Sequence, residues 1–346
     1  MKNLRIDLVI VLCLYLFLIA CTNNRLNINV SNVQVAPVQL KHFDKDLFSL
    51  RADNIEQQIS ELQKKYPGFA SLFINNILCP NGIKDSACIP EIIKFINEKD
   101  MKGAYEVCQN SFTESDFYTI EIELTDILKH YKYYFPQEKM PMIYTMMSGF
   151  NYSIATVDSS EESKELCFGI GLEMYLGNKN KFYEMLQIPG YKRGTMQKQF
   201  MTRDFAKALM IRKFPNESTN GTLLSEMIYQ GKLLYLINAL MPSAEDTLII
   251  GFSKKQLEWC SGHEKDMWGH LIENKFLYSN ATEVITKFTG EGPFTMGFVK
   301  ESPARTGVWL GWNIVRKYME ENPKTNIHQL MKEEAQILLS KSKYKP

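Results

Sequence analysis

Met140-Pro-Met-Ile-Tyr-Thr-Met-Met-Ser-Gly-Phe-Asn-Tyr-Ser-Ile-Ala-Thr-Val157, continued by Leu166-Cys-Phe-Gly-Ile-Gly-Leu172, is the stretch whose reading decides the fold class. It contains three short apolar runs, residues 140–147, 153–157 and 166–172, bounded by Gly, Asn and Asp. Runs of this length between turn formers read as strands. Ser148-Gly149-Phe150-Asn151 reads as a tight turn joining the first two. The expectation is a small, mostly antiparallel sheet.

On either side of this stretch the apolar period changes to three and four. Upstream, residues 46–66 read as one helix with Leu50, Ile55, Ile59 and Leu62 on a stripe, interrupted at Pro67. Residues 89–135 carry three more helical segments, the last marked by Ile120, Leu124, Ile127, Leu128 and Tyr131. Val35 to Phe43 alternates loosely and reads as a first strand. Downstream of Lys181 the pattern is almost entirely helical. Ser253 with Gln256 forms a capping-box signature for a helix running through Phe276. Val308, Trp312, Val315 and Met319 make another stripe. The fold class is therefore α+β: predominantly helical around a small sheet.

The N-terminus sets the location. Lys2 and Arg5 precede an apolar run, Leu8 to Ala20, that ends in Leu18-Ile19-Ala20-Cys21. A basic start, an apolar core and a small residue before the cut are the marks of a secretory signal. The run is too short for a span of about 20 residues. Cys21 directly after Ala20 resembles a bacterial lipobox, which implies cleavage before Cys21 and acylation of its thiol. The expected organisation is a signal peptide at 1–20, a lipidated Asn-rich tether at 21–34 and one globular domain at 35–346. Thr22, rather than an acid, follows the lipid cysteine. That favours the outer membrane, and the lack of an acidic run in the first mature residues favours its periplasmic face.

Composition narrows the chemistry. Without residues 1–20 the chain carries 38 basic and 38 acidic side chains, from totals of 40 and 39 less Lys2, Arg5 and Asp7. A balanced charge argues against nucleic acid as a partner and gives no polybasic membrane signal. Membrane attachment is left to the lipid. Five cysteines remain after Cys13 and Cys21; Cys79 and Cys88 flank a Pro-Asn-Gly turn where a small disulfide can form in an oxidising compartment. Cys108, Cys167 and Cys260 read as buried thiols. No His-Glu-x-x-His is present, and His263 and His270 lie about 10 Å apart along a helix. No metal site and no cofactor beyond the lipid is expected. There is no Gly-x-Ser-x-Gly elbow, and neither Gly169-Ile-Gly171 nor Gly290-Glu-Gly292 completes a phosphate loop. The sequence leans away from an enzyme without deciding the point.

Three stretches carry a family resemblance. Gly169-Ile-Gly171-Leu-Glu173-Met-Tyr175-Leu-Gly177, Met227-Ile-Tyr229-Gln230-Gly231-Lys232-Leu-Leu-Tyr235 and Pro303-Ala-Arg305-Thr-Gly307-Val-Trp309-Leu-Gly311-Trp312-Asn-Ile-Val315-Arg316 resemble the gliding-motility lipoproteins of the GldB type, known in Bacteroidota. The lipobox, the Phe43-Asp44 to Phe48 entry and the C-terminal Ser342-Lys343-Tyr344-Lys345-Pro346 fit the same family. Ala304 stands where the family usually has Gly, and Glu173 where it usually has Asp. The resemblance implies an envelope lipoprotein tied to motility, with other envelope proteins as partners. Its members are also similar in layout to gluzincin-type zinc peptidases. On that analogy Gln230 stands where a Glu ligand would sit, and Asp204 and Ala208 hold the two His positions. An amide and a methyl group cannot hold zinc, so the analogy implies a zincin-like scaffold without its metal, a pseudo-peptidase.

The candidate cleft residues are Glu173, Tyr175, Asp204, Glu226, Gln230, Arg305 and Trp309. Glu173 and Tyr175 follow a strand. Arg203 and Asp204 read as a solvated charged face. Glu226 and Gln230 lie one turn apart on a helix. Arg305, before a helix start, can grip a carboxylate with two hydrogen bonds. Trp309 lies off the apolar stripe and near polar groups, where it suits sugar or peptide. Three functions fit: a non-catalytic scaffold for protein partners, a divergent hydrolase working through Glu173 or Glu226, and a glycan-binding module built on Trp309.

Overall fold

The quoted stretch does fold as strands, but not as a hairpin followed by a third strand. A computed structural model describes residues 25–79, 81–82, 85–158, 165–216 and 221–346; the expected cleavage and lipidation at Ala20 and Cys21 lie outside them. The strands are β1 (Lys41–His42), β2 (Met142–Met146), β3 (Ile154–Val157) and β4 (Cys167–Gly171). Their order is β1-β2-β4-β3. β1 and β4 run parallel to β2, with Tyr144 opposite Lys41 on one side and Gly169 on the other. Only β3 is antiparallel, pairing with β4 so that Ala155 faces Gly169. The mostly antiparallel expectation is thus corrected to a mixed sheet.

The physical reason is burial. Every residue of β4 is buried, so it takes an interior place and separates β2 from β3, whose Thr156 is exposed. Parallel pairs occur where both faces are covered, and their strands read as continuous apolar runs. Both faces are covered here. Tyr144, Met146 and Cys167 pack with Phe43, Leu47, Tyr66, Phe69, Phe73 and Ile92. Ile143, Met147, Phe168 and Ile170 join the larger helical core on the other face. Gly169 permits the first layer: a Cβ there would lie 2.6 Å from the Phe69 ring and 2.7 Å from the Met146 sulfur.

The layer on the first face is built from α1 (Phe43–Phe48), α2 (Ile55–Lys65), α3 (Phe69–Phe73) and α4 (Cys88–Asn97). The single helix expected over 46–66 is broken, because Asn54 sits in the left-handed region at φ 57°. Asn tolerates that conformation through local hydrogen bonding, and Asp53-Asn54 was a turn signal inside the apolar period. A disulfide joins Cys79 to Cys88, the first residue of α4, while Cys108, Cys167 and Cys260 are free and buried.

The layer on the second face starts with α5 (Lys99–Ser111) and α6 (Glu114–Tyr134), whose expected stripe is buried. Short α7 (Lys181–Met185) and α8 (Gly190–Arg193) lead to α9 (Met201–Lys213) and the central α10 (Leu223–Leu240). Then come α11 (Asp246–Ile250), α12 (Lys254–Gly262), α13 (Glu264–Glu273), α14 (Thr282–Thr289), α15 (Thr306–Glu321), α16 (Ile327–Lys332) and α17 (Ala335–Ser342). The Ser253–Gln256 capping box is present, but its helix stops at Gly262 and resumes after His263.

α10 and α15 are buried around most of their circumference. They cross on glycine: a Cβ on Gly231 would lie 2.4 Å from the Gly311 backbone, and one on Gly311 would lie 1.9 Å from the Met227 carbonyl oxygen. The two motif glycines therefore set the distance between the central helices. Lys232, also in the motif, donates to the Met331 and Glu333 carbonyl oxygens at 3.3 and 2.6 Å, closing the C-terminal end of α16.

The Asn-rich segment read as a tether is attached over its described part. Arg25 donates to the carbonyl oxygens of Met319 at 2.7 Å and Thr325 at 2.6 Å, at the end of α15. Leu26 and Val30 are buried. Low apolar content hid these anchors, because one Leu and one Val suffice when an Arg closes a helix end. Among the described residues no helix is long and apolar enough to cross a membrane.

Candidate functional site

A broad cleft of about 1490 Å³ opens beyond the C-terminal ends of β2 and β4. In sheets with parallel strands this is the edge where connecting loops diverge and ligands bind. The loop after β2 contributes Phe150 and Asn151, and the turn Leu172–Tyr175 after β4 contributes Met174 and Tyr175. α9 supplies Arg203, Asp204 and Lys207, and Arg305 enters from the start of α15. Segments within residues 186–200, 243–256 and 291–292, with Ala304, form the remaining walls.

Of the seven candidate residues, the structure brings Tyr175, Asp204 and Arg305 together in this cleft. The Tyr175 hydroxyl donates to Asp204 Oδ2 at 2.9 Å. Asp204 Oδ1 pairs with Arg203 Nη1 at 3.1 Å. Burial and the Asp204 charge hold the Tyr175 phenol well above its ordinary pKa, so it stays a donor. Arg305 is a non-glycine residue at φ 60°, left-handed backbone that L-residues rarely adopt. Its guanidinium donates to the Ile250 carbonyl oxygen at 2.8 Å and pairs with Glu291 at 3.3 Å.

The sequence reading of Arg203 as solvated is corrected: it is 5 % exposed. Its guanidinium lies over the Phe200 ring, 5.0 Å from the centroid, and its shielded Nε has no hydrogen-bond partner. Lys207, one turn further along α9, escaped the sequence reading. Burial, then the charges of Arg305 and Arg203, push its ammonium pKa down. The one available signal was the Arg203-x-x-x-Lys207 spacing, which places both cations on one helix face.

Glu173 lies next to the cleft but inside the protein. It is fully buried, and one oxygen, Oε1, accepts from Ser148 N at 2.6 Å, Ser148 Oγ at 2.8 Å and Phe150 N at 3.2 Å. It thereby fixes the loop after β2, where Gly149 and Phe150 both have positive φ. This is why Ser148-Gly-Phe-Asn151 turns without making a hairpin: its amide hydrogens point to a side chain rather than across a ladder. The other oxygen, Oε2, has no partner. Burial raises the carboxyl pKa to about 7 against the lowering effect of its hydrogen bonds.

The remaining candidates stand away from the cleft. Glu226 accepts from Asn216 and Gln230, both at 2.8 Å, on α10. Trp309 is 5 % exposed and belongs to the main core. It offers no free face to a sugar, because α15 is buried around much of its girth rather than along one stripe. The gluzincin-like layout finds no support: Asp204 lines the cleft whereas Gln230 does not. Among the described residues no group of three or more His, Cys, Asp or Glu is placed to hold a metal ion.

One family model, described as gliding motility protein GldB, matches residues 23–346. No curated protein and no solved structure matches the chain.

Proposed function

We infer function from one premise: this chain belongs to the family of gliding motility protein GldB. Membership makes it a gliding-motility-associated lipoprotein of the cell envelope. Beyond that, we propose a non-catalytic scaffold that is acylated on Cys21 and held in the outer membrane facing the periplasm. It binds another envelope protein through the cleft.

One observation carries this reading. The cleft is wide and accessible, yet its acids are engaged: Asp204 with Tyr175 and Arg203, Glu291 with Arg305, and Glu245 with the Thr247 hydroxyl. Glu173 and Glu226, the acids a hydrolase reading relied on, do not line it. A general acid or base must reach the proton it moves within about 2.6–3.2 Å or through one water, and neither carboxylate is presented at the cleft wall. Clefts of this size suit a segment of chain better than a small molecule, whose sites run to about 300–1,000 Å³.

A photo-crosslinking residue at Tyr191, exposed on the cleft wall, tests this in cells that make the intact lipoprotein. The same residue at Ile272, exposed but outside the cleft, is the control. A discrete adduct with an envelope protein from position 191 and none from 272 is expected. Identical adducts, no adduct, or peptide turnover by the purified protein that Asp204→Asn abolishes would each overturn the proposal.

A further inference from the structure

The floor of the cleft carries more cation than its partners neutralise. Arg203, Lys207 and Arg305 converge there: Arg203 Nη2 lies against Gly251 and Arg305 Nη2 bonds the neighbouring Ile250 carbonyl oxygen, and burial, then the two arginine charges, depress the lysine. Two acids face them. Asp204 is shared between Arg203 and the Tyr175 hydroxyl, and Glu291 is 58 % exposed where it meets Arg305. Among the described residues Lys207 Nζ has no hydrogen bond or ion pair. Arg203 keeps an unpartnered, shielded Nε.

Lys207 is half-buried, so its ammonium reaches the cleft, while the Arg203 guanidinium beneath it is 5 % exposed and has no hydrogen-bond partner for Nε. A cation so placed without a full counter-charge is costly. Neither α9 nor the loops around it need Lys207 for their own hydrogen bonds. The strained backbone at Arg305 points the same way, since such conformations collect at binding sites. It sends the guanidinium to the Ile250 carbonyl oxygen at the end of α11 and to Glu291, on the cleft wall.

We propose that Lys207, Arg203 and Arg305 form a receptor for a peptide carboxylate, with Lys207 as its direct partner. This deepens the scaffold reading and rests on it: the partner would present an acidic segment to the floor of the cleft. The carboxylate can come from a chain end or from an Asp or Glu side chain. Apolar walls at Phe200, Leu248 and Phe252 suit the flanking side chains of an extended segment.

The test uses the purified mature protein and three pools of random hexapeptides, with retention read by mass spectrometry. One pool has free C-termini and no Asp or Glu. The second is amidated and contains Asp and Glu. The third is amidated and lacks both. Retention from the first pool identifies a chain end, and from the second an acidic side chain. The third should give none. Lys207→Met should weaken retention by about tenfold or more, as expected for losing a charge-assisted hydrogen bond, without lowering thermal stability.

Retention from the third pool, no retention from any, or equal retention by Lys207→Met overturns the assignment. So does a rise in melting temperature with inorganic phosphate but with neither acidic pool, which would point to a phosphoryl ligand. In any of these cases the crosslink from Tyr191 can still succeed, so the scaffold reading is judged separately.

Discussion

Replacing Glu173 by Gln should change how stability depends on pH more than it changes stability at any one pH. Gln keeps an oxygen to accept from Ser148 N, Ser148 Oγ and Phe150 N, but it cannot ionise. In the native protein burial holds the Glu173 carboxyl at about 7 against an ordinary 4.5. Between those values the folded state keeps a proton that the unfolded chain has released. Folding stability contributed by this group is therefore whole below about pH 4.5 and is lost as pH rises to about 7. At about 1.36 kcal/mol per pH unit the displacement amounts to about 3 kcal/mol. Urea unfolding of wild type and Glu173→Gln at pH 4 and pH 8 isolates the term, because other titrating groups cancel in the difference. The variant should gain about 3 kcal/mol relative to wild type between the two conditions. Parallel profiles would refute the reasoning, since they would mean that Glu173 is solvated or paired in a way that its unpartnered Oε2 excludes.

Three further outcomes follow from the fold and the N-terminus. Gly311→Ala places a methyl group 1.9 Å from the Met227 carbonyl oxygen, so α10 and α15 must part; a loss of about 3 kcal/mol in urea unfolding is expected. Replacing Cys79 and Cys88 by Ser opens a bridge of sequence separation 9 and should cost about 2–3 kcal/mol, with no further loss when reductant is added. Cys21→Ala should abolish fatty-acid labelling and release the protein from the membrane fraction.

Much of the architecture is legible locally. The helical period of α6, the capping box at Ser253 and the three runs around 140–172 each appear where their side-chain patterns place them. Strand partners are less so, because a period of two says which residues share a face but not which strand lies beside them. The candidate site divides along the same line. Tyr175 and Asp204 follow the strand and helix that carry them. Trp309 departs from its sequence reading because its helix is enclosed on several sides, which a single stripe does not reveal. Lys207 is not legible because an isolated lysine on a helix reads as solvated, and only the fold sets it beside Arg203 and Arg305 in one cleft.

By itself, then, the sequence determined the helical content, the strand runs and the family, since these depend on neighbours three to five residues apart or on motifs such as Gln230-Gly231 and Gly307-Val-Trp-Leu-Gly311. Tertiary structure alone decided that β4 lies between β2 and β3, that Glu173 holds a loop, and that three cations meet at one floor. Arg203 and Arg305 are separated by about a hundred residues, and no local pattern encodes their meeting. Only the crossing of α10 and α15, and the packing around it, brings those distant charges into one cleft, where burial strengthens their mutual field.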